Sequence, residues 1–534
     1  MKVLITDKIN ECVKDIIGDV SEAVFLPTMS EDELVKVIGE YDALMVRSQT
    51  KVTRKIIEAG KNLKIIGRAG VGVDNIDVES ATEKGIIVVN SPDGNTIAAS
   101  EHTIALMLAV SRNIIPAAVS TKDAKWNRDK FTGNELLGKT LGVMGFGRIG
   151  RKVVHIALAI GMKVIVYDPF SSEDIVHKTG AVYETSLDDF LPKLDYLSLH
   201  IPKTPETNNI INKDNLCKMK NTAIIINCSR GGLVNEEDLK NALENGTIAA
   251  AAVDVFVNEP KIETCPLTEY KKDNLILTPH LGASTKEAQI NVALDVAKQI
   301  KLVLSGGYTE SAVNIPSLNP EKLEPVKDYM KIAENAGEMI MQLSNGKIKS
   351  LEITAQGDLI NLDIQPLEVA VLKGVLSYMF QDVNYVNAPY LAKQRGIEVK
   401  TVKSEAPSAF TGILKVKLTT DKDTTNVSVS LIAKNIARIV KLNDYDVIIK
   451  PQPHILIVPH INQPSMIAKV AAVLSGESIN IASMSVSENI RGSNMSIMAI
   501  NVDKVIGNDV ITKISNIEGV HDPKYIRLTA EYTL

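Results

Sequence analysis

The sequence predicts an α/β protein: two doubly wound parallel-sheet domains, then an α+β domain and a small βαββαβ domain. Three observations carry that expectation. Two successive series of short, continuous apolar strands alternate with helical stretches. A proline-marked break interrupts the chain near Asn314, and the C-terminal stretch repeats a strand–helix–strand order twice. The 534 residues suit three to four domains at roughly 150 residues each. A composition of 45% hydrophobic and 23% charged residues supplies several cores.

In the first series Val3–Asp7, Ala43–Ser48, Lys64–Gly67 and Gly85–Asn90 read as strands, with Glu31–Gly39 and Thr53–Ala59 as helices between them. Their apolar runs lack polar alternation, as expected of strands covered on both faces. The second series has six strand candidates: Thr140–Gly145, Lys163–Asp168, Tyr196–Ile201, Ala223–Cys228, Ala250–Phe256 and Asn274–Thr278. Ile149–Ile160 and Glu236–Asn245 are its clearest helices. Pro316, Pro320 and Pro325 then mark a linker. Beyond it come helices Val326–Leu343 and Pro366–Phe380 and alternating strands Ile413–Thr419 and Asn426–Ile432. A second break at Lys450–Pro453 precedes strand His454–Val458, helix Ser465–Leu474, strands Ile481–Ser487 and Asn494–Val502, helix Asp509–Ile517 and strand Tyr525–Thr529. That order is ferredoxin-like.

Composition excludes several function classes. Lys and Arg number 59 against 64 Asp and Glu, so no global positive field attracts nucleic acid or an anionic membrane. The start MKVLITDKIN lacks the apolar region of a signal peptide, and no run approaches the roughly 18 apolar residues of a membrane span. Cys12, Cys217, Cys228 and Cys265 form no CxxC pair, which points to reduced thiols and a cytoplasmic location. The histidines also avoid metal-site spacing, so no metal is expected.

Gly145, Gly147 and Gly150 form a GxGxxG string between a strand and a helix. The first glycine permits a tight turn, the second lets backbone approach a pyrophosphate, and the third lets helix and strand pack closely. The anion would sit at the helix N-terminus. Asp168 ends the next strand, where a carboxylate accepts the ribose hydroxyls of NAD and repels the 2′-phosphate of NADP. A Rossmann-like domain with NAD as cofactor is the expectation.

Three residues follow later strands, at the end of the sheet where open α/β folds bind ligands: Arg230, Glu259 and His280. Together they meet the needs of 2-hydroxy acid oxidation. An imidazole can take the hydroxyl proton. A carboxylate on its far nitrogen fixes the tautomer and stabilises the imidazolium. An arginine can hold the substrate carboxylate through a bidentate fork.

These residues lie in strings that resemble the D-isomer-specific 2-hydroxyacid dehydrogenases: RAGVGVDNID (68–77), SPDGNTIAASEHTIALML (91–108), KWNRDKFTGNELLGKTLGVMGFGRIG (125–150), NCSRGGLVNEEDL (227–239), AAVDVFVNEP (251–260) and TPHLGASTKEAQ (278–289). The resemblance makes Arg230, Glu259 and His280 the catalytic trio. It implies NAD contacts at Gly145, Gly147, Arg148, Ile149, Gly150, Asp168, Cys228, Asp254, Gly282 and Ala283. It implies 3-phospho-D-glycerate as substrate, converted to 3-phosphohydroxypyruvate at the first step of L-serine synthesis. Substrate contacts fall on Arg47, Ser48, Arg68, Gly70 and Arg128, the last lent by a partner subunit. The implied architecture is discontinuous. A flavodoxin-like substrate domain takes 1–94 and 285–313, the cofactor domain 95–284, and an intervening allosteric-substrate-binding-like domain 315–452.

The tail, 453–534, resembles an ACT regulatory domain. L-serine as effector would be held by His460, Asn462 and Asn480 at a dimer interface, in a homo-oligomer expected to be a tetramer. Where the resembling proteins carry glycine, this chain has Ser465, whose Cβ would crowd the helix approach. Other readings remain. The tail could serve oligomerisation alone, the substrate could be glycerate or lactate, or the chain could be a dinucleotide-sensing interaction protein.

Overall fold

A computed structural model describes residues 1–307, 309, 311–315, 320–406, 409–433 and 436–529. Pro316 of the linker lies outside the described residues.

The first sheet is parallel throughout, in the spatial order Glu22–Phe25, Lys2–Ile5, Ala43–Val46, Ile65–Arg68, Ile87–Val89. In chain order this is 2-1-3-4-5, the flavodoxin-like winding. Its switch point lies between Lys2–Ile5 and Ala43–Val46, so the loops after those strands, Thr6–Asn10 and Arg47–Thr50, border the crevice. Glu22–Phe25 is a strand the sequence reading did not include; its apolar run, Ala23–Leu26, is short, ends at Pro27 and lies only half-buried along the sheet edge.

The second sheet is also parallel, ordered Leu275–Leu277, Ala250–Val253, Ile224–Asn227, Tyr196–Leu199, Thr140–Met144, Lys163–Tyr167, Val182–Glu184. Seven strands stand where six were expected, and the extra one is the short edge strand Val182–Glu184. The order reverses beside Thr140–Met144, the strand that leads into the glycine loop. Helix Thr96–Ser111 packs Ile104, Met107 and Val110 against Val153, Val154 and Ala157 of helix Arg148–Ile160. Helix Lys286–Leu304 instead covers the first sheet, with Val292, Val296 and Ile300 clustered on Val3, Ile5 and Ile65. Among the described residues no single helix is long and apolar enough to cross a membrane.

The third sheet orders Glu398–Ser404, Ile348–Gly357, Gly412–Thr420, Thr424–Ala433, Ile436–Leu442, Tyr445–Ile449; its first pair is parallel and the rest antiparallel. Helices Lys327–Leu343 and Gln365–Ser377 cross at Gly337 and Gly374, where a Cβ on either would strike the other's backbone. The tail is an antiparallel sheet ordered Ile481–Glu488, Met495–Val502, His454–Ile461, Lys524–Arg527. Its βαββαβ succession is the expected one.

Helices Met466–Gly476 and Asn508–Ser515 share a core with one face of that sheet, through Leu456, Val458, Met498 and Ile500. The other face, Ile455, Ile457, Ala499 and Ile526, shares a single hydrophobic cluster with Ile332, Met339 and Ile340 of the third domain. Gln342 exchanges two 2.9 Å hydrogen bonds with the Arg527 backbone, and Glu338 accepts from Thr529 N–H at 2.8 Å. The break at Lys450–Pro453 therefore separates two sheets, but one face of the second belongs to the third domain's core.

Candidate active site

Strand Thr140–Met144 turns at Gly145, whose φ of +98° and contact with the His200 carbonyl admit no side chain. Gly150 packs against the Gly145 carbonyl, whereas the space beside Gly147 is open. Helix Arg148–Ile160 begins at Gly147 with no side-chain cap, so its first N–H groups are left for a ligand. Arg148 pairs with Asp93 at 2.5 Å, and the Ile149 carbonyl lies 3.5 Å from the Ser100 hydroxyl. Asp168 accepts from Phe146 N–H at 2.6 Å and Phe170 N–H at 2.8 Å, bracing the glycine loop from the next strand end. An open Gly147, an uncapped helix and an adjacent carboxylate fit a dinucleotide.

Asp254 is fully buried after strand Ala250–Val253. Its Oδ1 accepts from Thr278 Oγ1 at 2.5 Å and Leu281 N–H at 2.8 Å, and its Oδ2 from Gly282 N–H at 2.9 Å. His102 Nε2 lies 3.2 Å away. Burial opposes ionisation, but the His102, Thr278 and Leu281 donors outweigh it and hold this carboxyl below the usual carboxylate range. The carboxylate thus clasps the loop that carries His280 and leads to Ala283. Burial, and then the Asp254 charge, push the Cys228 thiol up to about 12, so it is held as the unreactive neutral thiol.

His280 stands in the left-handed region, φ +54°, with its N–H on the Asp254 carbonyl at 2.9 Å. Its Nδ1 lies 2.6 Å from Glu259 Oε2, while Glu259 Oε1 accepts from Phe256 N–H at 2.8 Å. With Nδ1 engaged, Nε2 is the nitrogen left for a reacting proton. Phe256, Glu259, Pro260, Ile262, Pro279 and His280 enclose a hollow of about 150 Å³. Arg230 follows the neighbouring strand Ile224–Asn227; Asn227 holds its carbonyl at 3.1 Å.

The first domain reaches the same place. Asp74 approaches Arg230 Nε at 3.4 Å, and a Cβ at Gly72 would run into the Arg230 guanidinium. Arg68 packs so tightly over Gly70 that a Cβ there would strike it too. Burial, and then the positive charge of Arg230, lower the Arg68 guanidinium to about 10, with Arg47 adding to the repulsion. Three guanidiniums close enough to repel one another form a site for an anion. Ser48 is exposed beside Arg47.

Arg128 is not part of this cluster within one chain. It lies on the exposed turn Arg128–Phe131, where Lys130 pairs with Asp273 at 2.8 Å. Asp273 precedes strand Leu275–Leu277, so the turn is at the opposite end of the sheet from the trio. A groove of about 640 Å³ beside it is lined by Ile115, Val119, Phe131 and Leu275 among others.

In the tail, His460 is buried with Nδ1 on the Ile461 carbonyl at 2.8 Å and with no partner for Nε2 among the described residues. Asn462 donates to Glu488 at 2.9 Å. Asn480 lies elsewhere. Ile461 faces Met495 whereas Ile481 faces Val502, so seven residues, or roughly 23 Å of strand, separate the two ends. A site using all three needs a second copy. Ser465 adopts φ +75°, a conformation that favours glycine, and stays outside regular helix at the start of Met466–Gly476.

Sequence reasoning missed Asp7, Asp74, Asn75 and His102. Asp74 and Asn75 lie in the resembling string 68–77, which signals importance but not what the side chains touch.

A dinucleotide cradle and an Arg–Glu–His constellation on one parallel sheet define an NAD-binding 2-hydroxyacid dehydrogenase. Residues 104–282 match the family "D-isomer specific 2-hydroxyacid dehydrogenase, NAD binding domain", and 325–443 match "D-3-phosphoglycerate dehydrogenase intervening domain". D-3-phosphoglycerate dehydrogenase from Synechocystis sp. is 46% identical over 99% of this chain and 95% of its own length. The protein of that name from Methanocaldococcus jannaschii is 42% identical over 99% and 100%. The one from Bacillus subtilis is 36% identical over 99% of both chains. Among solved structures, the TT0316 protein from Thermus thermophilus is 32% identical, with a TM-score of 0.54 over 59% of this chain and 100% of its own. D-lactate dehydrogenase from Aquifex aeolicus, complexed with NAD and lactic acid, is 30% identical, with a TM-score of 0.50 over 57% of this chain and 96% of its own. The chain belongs to the D-3-phosphoglycerate dehydrogenase family and is an NAD-dependent oxidoreductase.

Proposed function

We propose that the protein oxidises 3-phospho-D-glycerate to 3-phosphohydroxypyruvate. The observation that carries this reading is the meeting of Arg47, Arg68 and Arg230 beside strand ends that hold the His280–Glu259 pair. Arg230 holds the substrate carboxylate, and Arg47 and Arg68 hold the phosphate. His280 accepts the hydroxyl proton at Nε2, and Glu259 stabilises the resulting imidazolium through Nδ1. NAD, when bound, supplies the hydride acceptor. Its pyrophosphate is met by the N–H groups at Gly147–Ile149 and its ribose by Asp168.

Reduction of 3-phosphohydroxypyruvate and of hydroxypyruvate by NADH tests the substrate. The phosphorylated compound should have the higher kcat/KM by about tenfold or more, since each charge-assisted contact contributes roughly 1.5–3 kcal/mol. Equal values would remove the phosphate argument. His280→Ala should abolish turnover and keep NADH binding; turnover that survives would remove His280 from proton transfer, and a wild type that binds NADH without turnover would favour the interaction-protein reading.

The finer reading includes control by L-serine and a homo-oligomer, which we take to be a tetramer. Two features support a second copy: Arg128 lies away from the site in its own chain, and His460 and Asn462 lie away from Asn480. Millimolar L-serine should slow turnover and raise Tm by linkage. No change in either would make the tail purely structural. Four free thiols support a reducing, cytoplasmic setting.

A further inference from the structure

We propose that Asn75 is the positioning residue that sets the spacing of the two phosphate-binding arginines, a role that rests on the substrate reading above. Its side chain has three strong bonding groups, two N–H donors and one carbonyl acceptor, and all are engaged. Nδ2 donates at 2.7 Å to the Arg47 carbonyl and at 2.7 Å to the Thr50 carbonyl. Oδ1 accepts from Arg68 Nε at 3.2 Å. One amide thus joins the backbone after strand Ala43–Val46 to the guanidinium after strand Ile65–Arg68, two neighbouring strand ends.

The amide is itself fixed. Val52 N–H donates to the Asn75 carbonyl at 2.8 Å, and Val52 and Ile76 form a parallel bridge. On the other side of the arginine loop Asp7 accepts from Arg47 N–H at 2.8 Å and Thr50 Oγ1 at 2.5 Å. Residues 47–50 are therefore held from both sides, and it is the Asn75 side chain that links that loop to Arg68. The bond to Nε leaves the outer Arg68 nitrogens for an anion. The link also resists the mutual repulsion that would otherwise drive Arg47 and Arg68 apart when no anion is bound.

The chemistry admits no ordinary substitute. An aspartate at this position could accept from Arg68 but could donate to neither carbonyl, and its charge would cancel part of the cationic field. A serine keeps one donor and loses the bridge. Phosphate recognition should suffer in both, and more than the chemical step.

The test compares kcat/KM for 3-phosphohydroxypyruvate and hydroxypyruvate, with NADH, in wild type, Asn75→Asp and Asn75→Ser. Each variant should lose about tenfold more with the phosphorylated substrate than with hydroxypyruvate, an effect carried by KM. Asn75→Ser serves if Asn75→Asp does not fold. Equal losses with both substrates would show a merely structural role and overturn the proposal, as would an unchanged preference. A wild type that does not prefer the phosphorylated compound would instead overturn the substrate reading beneath it.

Discussion

Replacing Glu259 by glutamine tests the proton-transfer machinery most sharply. Phe256 N–H donates to Glu259 Oε1 at 2.8 Å, so in Glu259→Gln the amide oxygen is held there and the NH2 group is turned toward His280. The 2.6 Å contact with Nδ1 then sets donor against donor. Imidazole relieves that by moving its proton to Nε2, the nitrogen that must accept the substrate proton. Loss of the charge-assisted bond contributes about 1.5–3 kcal/mol, or roughly ten- to hundredfold in kcat at about 1.4 kcal/mol per decade. Tautomer inversion adds to it, so kcat should fall by more than about a hundredfold. Glu259→Ala loses the bond but leaves the tautomer free, and should be the less damaged variant. The assay is steady-state oxidation of 3-phospho-D-glycerate by NAD, the direction in which Nε2 must accept a proton, with NADH binding measured by fluorescence as a control. A glutamine variant within about threefold of wild type, or more active than the alanine variant, would refute this reasoning.

Asp254→Asn should lower Tm at neutral pH by about 2–12 °C, from roughly 1–3 kcal/mol of weakened buried hydrogen bonding at about 2–4 °C per kcal/mol. Because the folded carboxyl titrates below its ordinary value, its stabilisation is present above about pH 4 and is lost as pH falls further. The Tm difference should therefore narrow in acid, as thermal scans across pH would show. Cys217 is exposed and should be alkylated at pH 8, while Cys228, held near 12, should resist until the chain unfolds; peptide mass spectrometry separates the two. Asp168→Ala should raise the NADPH-to-NADH ratio of kcat/KM by about tenfold, since a carboxylate there excludes the 2′-phosphate.

Much of the fold was legible because buried parallel strands are written as apolar runs. Ile224–Asn227 and Ala250–Val253 are buried at every position. Glu22–Phe25 and Val182–Glu184 were less legible, since both are short edge strands with no fully buried position. The break at Lys450–Pro453 reads locally as a domain boundary. Only packing reveals that Ile455 and Ile457 share a core with Ile332 and Met339.

The candidate trio stood out for a related reason: chemistry demands particular side chains at strand ends, and His280, Glu259 and Arg230 stand in strings specific enough to name. What the sequence determined by itself was therefore the class of chemistry, the cofactor and the candidate groups for the reaction. Tertiary structure decided which groups meet. It brought Asp74 across to Arg230 and bound Asn75 to two strand ends. It committed the Asp254 carboxylate to the His280 loop, and it parted Asn480 from His460. The reason is physical. A residue's chemistry is carried by its own atoms, whereas its partners are set by sheet register and domain packing, which depend on every other residue in the chain.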